Sequence, residues 1–472
     1  MAPAKVDTVL HGGTVVLRDA ALPLDIAITG ETIAAIGPAA ALPDAERVID
    51  VTGKIVLPGM IDAHSHFTYD DWTHGSILSA HGGITTTIPF LGGAQAVGET
   101  VQRGIEDAGR HSVIDFAFHM ILWPNPDADY LPLLAGIADG VRQGVRSYKI
   151  FMGYRRAGRN LVTDDFLYAA MKELRSQGAL PMVHAENADL IYALERELIA
   201  AGKVTPEFYP PSRPTVAETE AISRAADIAR TAGSPVYVVH LTTPEGLEII
   251  KARNAAGQPV LTETCPQYLL LTETEMTRIG PLAKIGPPLR TAAQVEDMWR
   301  GVRHGWIPVV ASDHSPHPRD LKEPGWKNIF YNDEGQPIPF GAPSAETIVP
   351  LMYSEGVVKR GLPIWWMARA LAENPARIFG LYPRKGVIAP GSDADFTIID
   401  PRGKTEFHAA QMHSRTGYTP YEGWALDGAV ALTILRGNVL FQDGKLLQDG
   451  GFGRYLPAGT AIPPVYGPLA DQ

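Results

Sequence analysis

Cysteine is nearly missing from this chain: Cys265 stands alone among 472 residues. That excludes an internal disulfide and points to a reducing compartment. No uncharged apolar stretch is long enough to cross a bilayer. The opening run Met1-Ala-Pro-Ala-Lys-Val-Asp7 has no apolar core of a signal peptide. A cytoplasmic protein is the expectation. Cations are scarce relative to anions, and the net charge of −11 argues against nucleic acid or an anionic membrane as the main partner. No Gly-x-Gly-x-x-Gly follows the first long apolar strand, which disfavours a doubly wound nucleotide-binding sheet.

Hydrophobic residues make up 45% of the chain, enough for a packed interior without disulfides. Residues 1–57 read as short strands broken by Gly12-Gly13, Gly30 and Gly37-Pro38. The segment 385–450 has the same texture, as in Phe396-Thr-Ile-Ile399 and Val430-Ala-Leu-Thr-Ile-Leu435. The two ends are expected to pair into one composite β-sandwich, with residues 451–472 as a Pro- and Gly-rich tail. Between them, residues 58–384 alternate strands with helix-length patterns such as Thr163–Gln177 and Val216–Thr231. The candidate strands are Gly59–His66, Ile84–Phe90, Val113–His119, Val145–Phe151, Leu180–Ala185, Val236–His240, Pro259–Glu263 and Pro308–Asp313. This rhythm predicts an α/β fold, a (β/α)8 TIM-type barrel with a β-sandwich accessory domain.

In such a barrel the chemistry lies at the C-terminal ends of the strands. Those ends carry His64 and His66, Lys149, His184, His240 and Asp313. The His-x-His pair puts two imidazoles on one face of a strand. Imidazole and carboxylate suit Zn²⁺ and its first-row neighbours, with Mn²⁺ and Co²⁺ as alternatives. Taken singly, His184 and His240 would pass as core histidines, His119 as a core or supporting residue, and Asp313 as a helix cap. Lys149 is the anomaly, because an ammonium among metal cations would be expelled or neutralised. Carboxylation by CO₂ removes the conflict, turning it into an anion with two oxygens.

These residues resemble the amidohydrolase superfamily, and within it the hydantoinase, dihydropyrimidinase and allantoinase branch. The matching strings are His64-Ser-His66, Ser147-Tyr-Lys-Ile-Phe-Met-Gly-Tyr154, His184-Ala-Glu-Asn187, Thr264-Cys-Pro-Gln-Tyr-Leu269, Ser312-Asp-His-Ser-Pro316, Asn374-Pro-Ala-Arg-Ile-Phe379 and Tyr418-Thr-Pro-Tyr-Glu-Gly423. The resemblance implies an N6-carboxylated Lys149 bridging two divalent metal ions. His64, His66 and Asp313 would hold one, and His184 and His240 the other. It also implies a homotetramer or homodimer.

Two divalent cations sharing a hydroxide would create a nucleophile near neutral pH, to attack a ring amide carbonyl. Asp313 would take its proton and pass it to the leaving nitrogen. Tyr154 looks like the family's oxyanion-stabilising tyrosine. The expected reaction is the opening of a cyclic amide, ureide or imide, foremost a 5-substituted hydantoin or a dihydropyrimidine. Allantoinase and cyclic imide hydrolase are the alternatives, and a non-catalytic oligomeric scaffold is the reading of a different class.

Substrate contacts are expected from Tyr154, Phe67, Gly286 and Phe340. Dihydroorotases resemble His-x-His-x-Arg, the arginine holding a carboxylate; Phe67 after His66 disfavours such a substrate. Thr68-Tyr-Asp-Asp-Trp72 departs from the allantoinase continuation. Gly286 stands where hydantoinases usually have Ser, and Phe340 where they usually have Asn. Phe67, Tyr69, Trp72, Phe90 and Trp123 crowd the expected mouth, with about half of them facing the pocket and the rest in the core, a wall that favours an apolar or aryl substituent. Arg155 and Arg156 are candidate attractors for an anionic group.

Overall fold

The structure is a computed structural model describing residues 5–67, 69–92, 96–156, 158–461 and 463–464. Thr68 and the tail beyond Pro464 therefore lie outside the described residues, as does the side chain of Arg156. Eight parallel strand positions form a nearly closed barrel: β1 (Met60–Ser65), β2 (Ile84–Leu91), β3 (Asp115–Phe116 and His119–Ile121), β4 (Ser147–Phe151), β5 (Leu180–His184), β6 (Val236–Val238), β7 (Val260–Thr264) and β8 (Val309–Val310). Each falls inside or against its predicted segment. Their residues are buried almost without exception, as strands covered on both faces must be.

Two details depart from the predicted strands. β3 is split: its first half pairs with Thr86 and Thr87 of β2 and its second half, in the same register, with Phe90 and Leu91. His119 therefore starts a second short run rather than ending the first. The seam between β8 and β1 is made beyond β8, where Ser65 bridges His314. There Asp62 Oδ1 accepts from the Ser312 amide at 2.9 Å and Oδ2 from its hydroxyl at 2.6 Å.

Helices cover the barrel with one apolar face each. In Asp164–Ser176 the buried residues are Phe166, Leu167, Ala170, Met171 and Leu174, a 3.6-residue stripe. The helix Ala188–Ala200 starts where Asn187 accepts the Leu190 amide at 3.0 Å, three residues past His184. No helix of the described residues is long and apolar enough to cross a membrane.

The chain ends build two further sheets. One has four strands, all within residues 6–50; the other has seven, with Thr14–Val16, Ala21–Pro23 and Ile55–Pro58 from the first part and Phe396–Glu406, Ala425–Leu435, Asn438–Gln442 and Lys445–Leu446 from the last. Leu10, Ile26 and Ile28 of the first share one buried cluster with Val15, Val56, Phe396, Ile398 and Ile434 of the second. That is the accessory sandwich drawn from both chain ends. Ile55–Pro58 runs directly into β1, so this sheet holds the root of the strand that carries His64 and His66.

Candidate active site

The six residues read from the strand ends converge on one cavity of about 390 Å³. His64, His66, Lys149, His184, His240 and Asp313 all line it, with Tyr154, Gly286 and Phe340. Ligand-type atoms of His64, His66 and Asp313 lie within 4.8 Å of one another. His64 Nε2 is 3.1 Å from Asp313 Oδ1 and 3.5 Å from Lys149 Nζ. His184 Nδ1 and His240 Nε2 face each other at 3.0 Å. The two groups adjoin, the His64 and His240 rings being 5.4 Å apart.

The donor set fits cations. Burial, then the neighbouring charges, push His66 and His240 well below the usual imidazole range, so both offer lone pairs. Burial pushes the Asp313 carboxyl up, but His64, His66 and Lys149 outweigh it and hold it ionised. Burial pushes the Lys149 amine down to about 8, although the Asp313 and Glu263 carboxylates oppose it. A substantial neutral fraction near physiological pH leaves a nucleophilic amine at this position. Backbone conformation is also unusual here: His240 (φ 38°) and Asp313 (φ 50°) are left-handed, a strain typical of functional positions.

Two supporting carboxylates, Glu263 and Glu186, are not evident from the sequence. Glu263, fully buried on β7, accepts from His64 Nδ1, from the Tyr237 hydroxyl at 2.8 Å and from the His240 amide at 3.3 Å. Glu186 lies 2.6 Å from His184 Nε2 and is itself paired with the buried Arg213. Each carboxylate fixes which nitrogen of its imidazole faces the cavity. His119 resolves as a core residue that supports the site, its ring joining Ser147 Oγ at 2.5 Å to the Ala63 carbonyl at 2.9 Å.

The aromatic wall differs from the predicted one. Of the five expected aromatics, only Trp123 lines the cavity; Phe151, Tyr154 and Phe340 supply the rest of the wall. Phe67 is not brought there: its ring meets Trp72 at 5.4 Å and His314 at 5.9 Å. Side chains alternate across a strand, so a residue next to the inward His66 points away. By the spacing of His-x-His-x-Arg, moreover, the arginine's place is Thr68 rather than Phe67, and Thr68 lies outside the described residues. Trp72 packs on Phe116 and Phe118, Tyr69 under Arg415, and Phe90 stacks beneath His66 at 5.0 Å. Arg155 pairs with Asp189.

A second acidic cluster, Asp115, Asp393 and Asp395, has a different character. Lys385 Nζ sits among its carboxylates at 2.7, 3.0 and 2.5 Å, and Arg436 also pairs with Asp115. The cluster's charge is already met by buried cations, which makes it an ion-pair node between barrel and sandwich.

Comparison with known proteins agrees with this geometry. Residues 55–440 match the model of the Amidohydrolase family. A D-phenylhydantoinase of Escherichia coli O17:K52:H18 is 35% identical over 97% of this chain and 99% of its own length. The crystal structure of dihydropyrimidinase from Brevibacillus agri NCHU1002 superposes with a TM-score of 0.90 at 30% identity, covering 97% of this chain and all of that one (100%). The L-hydantoinase (dihydropyrimidinase) from Arthrobacter aurescens gives 0.89 at 32% identity, covering 95% and 99%.

Proposed function

We propose, for a chain that belongs to the amidohydrolase family and within it to the hydantoinase branch, that the preferred substrate is a 5-substituted hydantoin bearing an apolar or aryl group. The protein is a metal-dependent hydrolase acting on C–N bonds of cyclic amides. The observation that carries the substrate assignment is the cavity wall of Trp123, Phe151, Tyr154 and Phe340 beside the histidine cluster. Its likeness to a D-phenylhydantoinase supports the same reading.

His64, His66 and Asp313 would hold one divalent ion and His184 and His240 a second, with an N6-carboxylated Lys149 between them; zinc suits this donor set best. Bound there, the ions supply Lewis acidity and lower the pKa of water toward neutrality. Asp313 moves a proton from the attacking water to the leaving ring nitrogen. Tyr154 keeps its phenol protonated, since burial raises its pKa well above the usual value, and it donates to the carbonyl oxygen as charge develops there. Glu263 and Glu186 hold the imidazoles in place. Residues 58–384 form the catalytic unit in this reading, and the working form is a cytoplasmic homotetramer or homodimer.

The test is a purified protein reconstituted with Zn²⁺ and bicarbonate, then offered 5-phenylhydantoin, dihydrouracil, allantoin and succinimide. Ring opening of 5-phenylhydantoin with two metals per chain is expected. Turnover of allantoin alone overturns the substrate assignment. Less than one tightly held metal per chain favours a scaffold.

A further inference from the structure

Asp70 precedes the helix Asp71–His81, the place of an N-cap, yet its side chain makes no capping bond. It is fully buried and turned to the barrel rim instead. Oδ2 accepts from the Ser414 hydroxyl at 2.7 Å, and Oδ1 from the Arg415 amide at 2.7 Å. Oδ2 also lies 3.2 Å from Nε2 of His314, a ring that is itself fully buried. The other nitrogen of that ring, Nδ1, accepts from the Ser344 and Ala345 amides at 3.0 and 3.3 Å. A ring nitrogen that accepts carries no hydrogen, so the proton sits on Nε2, the side that meets Asp70. Burial pushes the Asp70 carboxyl up, but His314, Ser414 and Arg415 outweigh it and hold it ionised. The backbone of His314 reaches the cavity residues. It follows Asp313 in the chain, its amide donates to Ser312 Oγ at 3.0 Å, and its carbonyl accepts the His66 amide at 2.6 Å. The ring is thus a handle on Asp313 and His66 together. Asp70 ties that handle to residues 414–416, which follow the sandwich strand Phe396–Glu406. The same segment also holds the chain beyond β8 directly, the Arg319 amide donating to the Thr416 carbonyl at 3.3 Å.

We propose that Asp70 is a positioning residue for the reaction, acting through His314 to hold Asp313 and His66 in place, with the sandwich segment 414–416 as its anchor. This rests on the reading of Asp313 as the group that carries the proton. Asp313 has a left-handed backbone (φ 50°), a conformation that persists only when its surroundings enforce it. A reacting group misplaced by about 1 Å can lose roughly a hundredfold in rate. Neither Asp70 nor His314 lines the cavity, so their effect falls on the chemical step rather than on binding of the ring. The other histidine pair has its own supports: Glu186 orients His184, and Glu263 receives the His240 amide. The device is therefore one-sided. It bears on the ion that His64, His66 and Asp313 would hold and spares the other.

The test is made on the zinc-loaded enzyme, with whichever of 5-phenylhydantoin, dihydrouracil, allantoin and succinimide the native protein opens fastest. Asp70→Asn keeps the shape of the side chain but sets an amide N–H₂ among the three donors that now meet a carboxylate. At saturating zinc, kcat is expected to fall roughly 10–100-fold with KM within about threefold. Chelator competition should show one zinc per chain weakened by a similar factor and the other unchanged. His314→Asn keeps an acceptor for the two amides and gives up the contact with Asp70. It is expected to match Asp70→Asn, and the double variant to fall no further than either, as residues acting in series do. Arg415→Ala retains the backbone amide that Asp70 accepts and is expected to stay within about twofold of native. Ser414→Ala removes one donor at the half-buried end and is expected to cost about fivefold in kcat, which keeps the test open where Asp70→Asn does not fold. An unchanged kcat in Asp70→Asn, or in Ser414→Ala if that variant alone folds, overturns the proposal. So do additive losses in the double variant, equal weakening of both zinc ions, or an equal loss in Arg415→Ala. No turnover by the native holoenzyme overturns the reading of the cavity and this proposal with it; native turnover beside an unaffected Asp70→Asn overturns the proposal alone.

Discussion

Glu263 accepts the Nδ1 hydrogen of His64, which leaves Nε2 of that ring 3.1 Å from Asp313. The same carboxylate receives the His240 amide, so one buried group orients residues of both histidine pairs. Glu263→Gln is expected to weaken zinc binding by roughly 10–100-fold. Competition with a chelator of known affinity reads this directly.

Lys149→Ala removes the side chain that, in the proposed reading, bridges the two groups. Metal content after reconstitution and turnover should both collapse. If both survive, Lys149 is no bridge.

Tyr154→Phe keeps the ring contacts with Phe151 and Phe340 but removes the phenol. The expected result is a fall in kcat of roughly 10²–10³-fold with little change in KM. Steady-state kinetics on 5-phenylhydantoin separates the two parameters.

Burial holds the Lys284 amine down to about 7, against an ordinary value near 10.5. Between those values the unfolded chain binds a proton that the folded one does not, so this group adds stability as pH rises from about 7 toward 10. A neutral amine still has N–H groups for the Ile329 and Ile338 carbonyls, at 2.8 and 2.7 Å. Urea melts of the metal-free protein should show a midpoint that climbs over this range, and Lys284→Met should flatten the climb.

Lys385→Met leaves Asp115, Asp393 and Asp395 facing one another without their shared ammonium. Breaking a buried ion pair from one side costs about 3–5 kcal/mol, and a comparable loss is expected in denaturant melts. The two metals per chain should be retained, which separates this node from the site. Loss of a metal would mean that the acidic cluster binds one.

The barrel strands were legible because fully buried parallel strands read as unbroken apolar runs between turn residues, as in Val236–His240. The histidines, Lys149 and Asp313 were legible because this architecture collects strand ends on one rim. Glu263 and Glu186 were not, since nothing local distinguishes a buried carboxylate serving an imidazole from one facing water; only the contacts with His64 and His184 do that. Phe67 was placed by adjacency to His66, whereas strand alternation sends neighbouring side chains to opposite faces. The wall residues Phe151 and Tyr154 lay inside a motif already singled out. Phe340 was legible only through the family resemblance, since it reaches the cavity on a loop held by Lys284 and Lys322, ties between distant segments that periodicity does not register.

The amide of Met60, at the root of the strand bearing His64 and His66, donates to Thr397 Oγ1 across 337 residues of chain, and Ile55–Pro58 just before it pairs with Phe396–Ile399. A ribosome delivers the first of these segments long before the second. Until its late partner emerges, the early strand keeps an open hydrogen-bonding edge. A chain cut short before residue 396 would carry all six strand-end residues of the cavity without the strand that pairs at the root of two of them.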